Sequence, residues 1–351
     1  PRSGLVRVGA KELWVRDVPP LGYRVYTHES LRDENPAAPT PTAAVVENRF
    51  YRLTFDADTG AVKSCLDKEL GRELVDSASE YGLNQYLYVS GGEGTNVVDL
   101  GANKPAELTI HTTSGARLSR QVLPHRQVVR VEAAAELTPE VVSEVVLWDN
   151  EKRLDFANRL TKTYTTAKEA GYFAFPFAAT QPRIEMEIPD GVVRPNTDQF
   201  KGACKDWYTV QHWVSVAGDD CAVAWAPVDS PLVCLQDINR GKWQEQLPLE
   251  NGHVFAYAFN NYWFTNYKAG QGGELEFRFS LTSAGKLSRT QVTRFGWEAA
   301  NPLLAHETVP GQGSRSADAA SFLTVEPENV MVLAVKQAED GKGLVVRLFE
   351  N

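Results

Sequence analysis

The chain has 351 residues, 43% of them apolar and 23% charged, which is ordinary globular usage and excludes a disordered or fibrous chain. With 45 acidic against 36 basic side chains the net charge is -9, a sign that repels phosphate backbones and anionic membrane surfaces, so no nucleic-acid or membrane partner is expected. No apolar run approaches the roughly 20 residues of a membrane-crossing helix. The start at Pro1, without an initiator Met or an apolar leader, reads as a cut or processed end, so the chain is expected to be a fragment.

In chain order, Leu13 to Arg16 and Tyr23 to Tyr26 read as short strands, followed by a Pro-rich seam from Asn35 to Ala44 that cannot donate to a ladder. Phe50 to Phe55 alternates apolar and polar, Asp56 to Gly60 supplies turn chemistry, and Ala61 to Leu66 alternates again: a β-hairpin. The turn has the look of a calcium loop but lacks the later acidic ligand, so a plain hairpin is expected. Lys68 to Ser79 has room for a helical turn or two. Strands follow at Ala106 to Thr112, Gln127 to Ala134, Val141 to Trp148, Leu154 to Thr161, Tyr208 to Val216, Cys221 to Trp225 and Val254 to Phe259. In Glu274 to Leu281, Leu275, Phe277, Phe279 and Leu281 share one face. Lys286 to Phe295 is the second helical candidate. After a seam at Pro310 to Ala317, Val330 to Val335 and Leu344 to Phe349 close the chain.

Period-two runs dominate and the crossover helices of a parallel sheet are missing, which predicts an all-β fold with a two-sheet antiparallel core from about Thr42 to Ser283. The expected division is residues 1–40 as short strands and linker, 41–310 as the large sandwich, and 311–351 as strands of a small domain. The chain ends are expected to pair as a small extra sheet.

Cys65, Cys204, Cys221 and Cys234 are too few for a disulfide framework and show no CxxC spacing, so buried thiols and a reducing, cytoplasmic setting are expected. The six histidines, at 28, 111, 125, 212, 253 and 306, form no metal-ligand pattern, so no metal site is expected. Aromatic rings lie beside amides at Asn84-Gln85-Tyr86, Asp206-Trp207 and Asn260-Asn261-Tyr262-Trp263. Sugars offer C–H faces to rings and hydroxyls to amides, so such mixtures suit carbohydrate, although strands and Asn-rich turns produce them as well.

The segment NNYWFTNYKAGQGGELEFRFSLT from Asn260 resembles the C-terminal β region of family 38 glycoside hydrolases, the α-mannosidases. So do VENRFYRLTFDADTGAVKSCLDKELGRELVD from Val46, AVKQAEDGKGLVVRLFE from Ala334 and VPPLGYRVY from Val18, in the family's order. The resemblance implies a sandwich of the galactose-mutarotase-like supersandwich type, and a parent that hydrolyses α-mannosides with retention through a zinc-assisted covalent intermediate. The family's His-x-Asp zinc motif has no counterpart here, so zinc and nucleophile are expected in a separate N-terminal catalytic domain and this chain alone is expected to be inactive. Its expected partners are that domain and an α-mannoside. The resemblance places Tyr86 against the sugar, and a docking or substrate face is expected from Asn84, Tyr86, Asp206, Trp207, Asn261, Tyr262 and Trp263. Two alternatives stay open: a stand-alone carbohydrate-binding module stacking sugar on Trp207, Tyr262 and Trp263, and an aldose mutarotase using His111 or His125.

Overall fold

The computed structural model describes residues 2–33, 38–42, 44–91, 108–238, 244–262, 269–308 and 318–351. Nearly all of its regular structure is β, and every strand pairing is antiparallel. Two compact units are present, residues 38–300 and residues 1–37 with 301–351.

The larger unit is built on two sheets. A ten-stranded sheet has Gln271–Ala284, Leu154–Thr165, Thr138–Trp148 and Arg126–Ala135 side by side at its centre. A six-stranded sheet runs Leu108–Thr112, Gln85–Gly91, Glu169–Thr180, Asn251–Asn260, Leu232–Leu235, Tyr208–Thr209. Their facing sides share one aromatic core. Phe173, Phe175 and Phe177 project from the six-stranded sheet, and Phe175 meets Trp225 at 4.9 Å, Phe279 at 5.0 Å and Phe156 at 5.8 Å between ring centres. The hairpin Tyr51–Phe55 and Val62–Asp67, within a four-stranded sheet, adds Tyr51, Leu53, Phe55 and Cys65 to that core.

Alternation explains how one strand serves both core and solvent. Along Leu154–Thr165 the residues 154, 156, 158, 160 and 162 are buried, while Arg159 turns outward to Glu276 at 3.1 Å. Arg130 similarly reaches Glu132 at 3.1 Å and Glu144 at 3.2 Å. Such exposed pairs contribute little stability each, but they keep that face wet.

The turn of the first hairpin is a plain one. Asp56 Oδ1 accepts from the backbone N–H of Asp58 at 3.0 Å and of Thr59 at 2.8 Å, so the carboxylate is spent on the loop itself. Gly60 follows at φ +73°, where an added Cβ would lie 2.3 Å from Val131 Cγ1.

Several expectations are corrected. Lys68 to Ser79 is not helical but contains the short strand Arg72–Glu73, because Asp67 Oδ1 accepts from the N–H groups of Glu69 and Leu70 and tightens a turn there. The helix near the end of the unit is Arg289–Ala300, later than the spacing predicts, and its Gly296 lies on the His212 carbonyl and Trp213. Tyr208 to Val216 is two strands, Tyr208–Thr209 and Val214–Ala217, since the chain passes there from the six-stranded to the ten-stranded sheet. No disulfide joins the four cysteines: Cys65 and Cys234 are buried as expected, but Cys221 is half-buried and Cys204, in the loop ahead of Tyr208–Thr209, is exposed.

In the smaller unit Arg2–Val8, Lys11–Val18 and Arg32–Asp33 form a three-stranded sheet, and Gly22–Arg24 pairs with Ala319–Ser321, so the two chain ends do meet in a small sheet. Val330–Gln337 and Leu344–Glu350 form a separate hairpin. Among the described residues no helix is long and apolar enough to cross a membrane.

Candidate functional site

Gln85–Gly91 lies next to Glu169–Thr180, with Tyr86 opposite Phe173. Alternation sends Tyr86 and Tyr88 toward the ten-stranded sheet and Leu87 and Val89 to the other side. Tyr86 is 2% exposed, packs on Phe173 at 5.5 Å, and its hydroxyl is 3.0 Å from Thr138 Oγ1. Burial raises its phenol pKa, outweighing the hydrogen bond to Thr138.

Asn84, just before the strand, holds the left-handed conformation at φ 58°. Its amide forms a reciprocal pair with the Asn158 amide, 2.8 Å in each direction, while Asn158 also donates to the Phe277 carbonyl at 3.2 Å and accepts from Ser143 at 2.6 Å. A cavity of about 20 Å³, lined among others by Asn84, Tyr86, Ser143, Gly60 and Val131, adjoins this pair. A water needs roughly 10–15 Å³, so the space fits about one, and a sugar ring does not fit.

Trp207 belongs to the opposite side of the six-stranded sheet. Asp206 is buried; Trp207 stacks on Tyr257 at 6.2 Å, and Tyr257 on Tyr172 at 4.5 Å with the rings parallel. Tyr262 joins this second apolar cluster and donates its hydroxyl to the Gly91 carbonyl at 3.0 Å. Asn261 is a backbone clamp: its Oδ1 accepts from Glu169 N at 2.7 Å, its backbone N–H donates to Glu169 O at 3.0 Å, and its Nδ2 donates to the Ala167 carbonyl. Trp263 lies outside the described residues. Asn84 and Tyr86 thus sit on the sandwich side of the sheet, Trp207 and Tyr262 on its far side, and the polar atoms of Asn84, Tyr86 and Tyr262 are turned onto the protein itself.

Asn261 clamps a residue that sequence reasoning passed over. Glu169 Oε2 lies 2.7 Å from Lys162 Nζ and accepts the Tyr88 hydroxyl at 2.7 Å, and both charged side chains are essentially without exposure. Lys162 comes from the ten-stranded sheet and Glu169 opens the next strand in the six-stranded one, so the ion pair ties the sheets at the corner where the chain changes sheet. The ammonium also lies 5.6 Å from the Tyr88 ring centre and 5.9 Å from that of Phe259. Burial is the main cause of a raised Tyr88 phenol pKa, and the hydrogen bond and charge of Glu169 raise it further. The signal was available: along the alternating run Leu154, Phe156, Asn158, Leu160, Lys162, parity puts a lysine inside.

The histidines do not assemble a zinc site. His212 faces Glu187 at 2.8 Å, His253 faces Asp76 at 2.8 Å, and His111 lies 3.1 Å from Ser90 Oγ, each with a single such partner. Among the described residues no group of three His, Cys, Asp or Glu could hold a metal ion.

The family model described as glycosyl hydrolases family 38 C-terminal domain matches residues 46–226. Among solved structures, an alpha-mannosidase from Enterococcus faecalis V583 superposes with a TM-score of 0.70 at 18% identity, over 97% of this chain and 40% of that one. A protein of glycosyl hydrolase family 38 from Enterococcus faecalis gives 0.69 at 17% identity, over 97% and 42%. A galactose mutarotase-like protein from Lactobacillus casei ATCC 334 gives 0.38 at 11% identity, over 68% and 99%. The chain spans about two fifths of the length of the two Enterococcus proteins. No curated protein matches it.

Proposed function

This chain belongs to the C-terminal domain family of the family 38 glycosyl hydrolases, and from that membership we propose that it is the non-catalytic β portion of an α-mannosidase, a rigid body on which the catalytic part of the same enzyme rests. The observation that carries the reading is the paired extent of the fold match: 97% of this chain is used, yet only 40% of the Enterococcus faecalis alpha-mannosidase. On this reading the zinc, the nucleophile and most contacts with an α-mannoside fall to the rest of the parent enzyme. The aromatic and amide residues of this chain then act as scaffold. Tyr86, Asn84, Asn261 and Tyr262 spend their polar groups on Thr138, Asn158, Glu169 and Gly91, and hold the strand ends that would back a sugar pocket. A reducing, cytoplasmic setting fits four cysteines with no disulfide.

The test is hydrolysis of a chromogenic α-mannoside in the presence of zinc. The complete polypeptide encoded by the gene is expected to turn it over, and the 351-residue chain alone is not. Turnover by the isolated chain that chelation abolishes refutes the non-catalytic assignment, and a complete polypeptide inactive on every α-mannoside refutes the substrate class.

A further inference from the structure

The Lys162–Glu169 pair is incompletely satisfied on both sides. A carboxylate accepts on both of its oxygens, yet Tyr88 and Lys162 both address Oε2, and the buried Oε1 has no hydrogen-bond partner among the described residues. An ammonium has three protons, and among the described residues the acceptors around Lys162 Nζ are two, Glu169 Oε2 and the Thr163 carbonyl at 2.6 Å. One acceptor and one donor therefore remain, on groups held 2.7 Å apart, with the Tyr88 and Phe259 rings beside the ammonium. Buried polar atoms of this kind are ordinarily paired.

We propose that Glu169 and Lys162 together bind a single hydroxyl oxygen, which donates a proton to Glu169 Oε1 and accepts one from Lys162 Nζ. The chemistry of the pair selects this guest. A cation would satisfy Oε1 but face the ammonium; an anion would satisfy the ammonium but face the carboxylate; an apolar group would satisfy neither. A neutral oxygen that both donates and accepts satisfies the two at once. Two sources share that chemistry, an internal water and the hydroxyl of a sugar. The Asn261 clamp on the backbone of residues 167 and 169 fixes Glu169 for either one.

The test uses the 351-residue protein crystallised with and without methyl α-mannoside, to a resolution at which buried waters are visible. The expected result is an ordered oxygen about 2.7–3.2 Å from both Glu169 Oε1 and Lys162 Nζ. An oxygen present without sugar and unmoved by it identifies a water, and one that becomes continuous with sugar density identifies a ligand hydroxyl. No oxygen there in either crystal, while other buried waters are resolved, overturns the proposal. In solution, oxygen-17 relaxation dispersion of the ligand-free protein is expected to lose one long-lived water in the double variant Lys162→Met, Glu169→Leu, which removes both polar ends at similar volume. An unchanged dispersion from a folded variant excludes the water source. If that variant does not fold, the crystal comparison decides alone.

Discussion

The Asn84–Asn158 amide pair decides whether the first of the aromatic–amide clusters serves a sugar or the fold, and its energy can be worked from its hydrogen bonds. Asn158→Ala leaves both polar atoms of the Asn84 side chain without their partner and takes the acceptor from Ser143. At about 1–3 kcal/mol for each buried group left unpaired, and with the adjoining cavity able to admit a water that recovers part of this, the expected cost is about 2–4 kcal/mol. Asn84→Gly is the milder partner. Glycine accepts the left-handed backbone at φ 58°, and Asn158 retains Ser143 and the Phe277 carbonyl, so about 1–2 kcal/mol is expected.

In the double variant no amide is left orphaned, so its cost is expected to fall short of the sum of the singles by about 1–2 kcal/mol. Urea unfolding of the four proteins, followed by tryptophan fluorescence and read at a common m-value, measures the cycle. Additive singles, with a coupling under about 0.5 kcal/mol, would refute a structural role for the amide pair and return Asn84 to a role outside the fold.

Tyr86→Phe removes the hydroxyl from Thr138 and is expected to cost about 0.5–1.5 kcal/mol in the same urea assay while leaving α-mannoside turnover of the complete polypeptide unchanged; a fall in turnover at unchanged stability would place the hydroxyl on substrate. Phe175→Ala, which strips the ring touching Trp225, Phe279 and Phe156, is expected to cost about 3–5 kcal/mol, and a loss under about 1 kcal/mol would mean the two sheets do not share that core. Gly60→Ala is expected to be far more damaging than Gly115→Ala in thermal unfolding: both glycines have positive φ, worth about 1–2 kcal/mol of strain, but only at Gly60 does the new methyl collide with Val131, and equal shifts would refute the close approach. Hydrogen bonds from the Thr59 and Asp58 backbone hold the Asp56 carboxyl below its usual range, so its stabilisation is present above the unfolded carboxylate pKa of about 3.9 and is lost as pH falls through the lower folded value; Asp56→Asn should flatten the acid limb of the stability profile, and an unaltered limb would refute the assignment.

Most strands were legible because one face is buried and the other wet. Leu154–Thr165 and Gln271–Ala284 lie in the sheet whose outer side carries the Arg130, Glu144, Arg159 and Glu276 charges, so period two survives in the sequence. Glu169–Thr180, the strand that carries Phe173, Phe175 and Phe177, was not. It is covered on both sides, by the main core and by the cluster around Tyr172 and Tyr257, and between Glu169 and Thr180 its sequence AGYFAFPFAA carries no charge and no polar alternation, with a proline inside. The switch between sheets after Thr209 was hidden for another reason: buried and exposed residues alternate straight through it. There Val210 N–H donates to the Pro231 carbonyl and Gln211 N–H to the Glu187 carbonyl, contacts that no local pattern encodes.

The site was less legible for a related reason. Composition shows that rings and amides adjoin along the chain, but which side of a strand each occupies depends on register, and adjacency does not report it. Tyr86 and Leu87 are neighbours in sequence and lie on opposite sides of a sheet. A cluster read along the chain therefore merges two surfaces, as happened for Tyr86 and Trp207. Parity within a strand carries the missing information and would have led to Lys162, a charge at an inward position, which demands a partner because an isolated buried ammonium is far too costly. The partner is Glu169, seven residues on and across the corner in the other sheet. A polar residue that breaks the inward register of a strand is thus a stronger pointer to built chemistry in this fold than aromatic residues that merely accompany it. Asn158 makes the case independently: two positions before Lys162 on the same inward row, it too meets a partner at the start of a strand of the opposite sheet, Asn84.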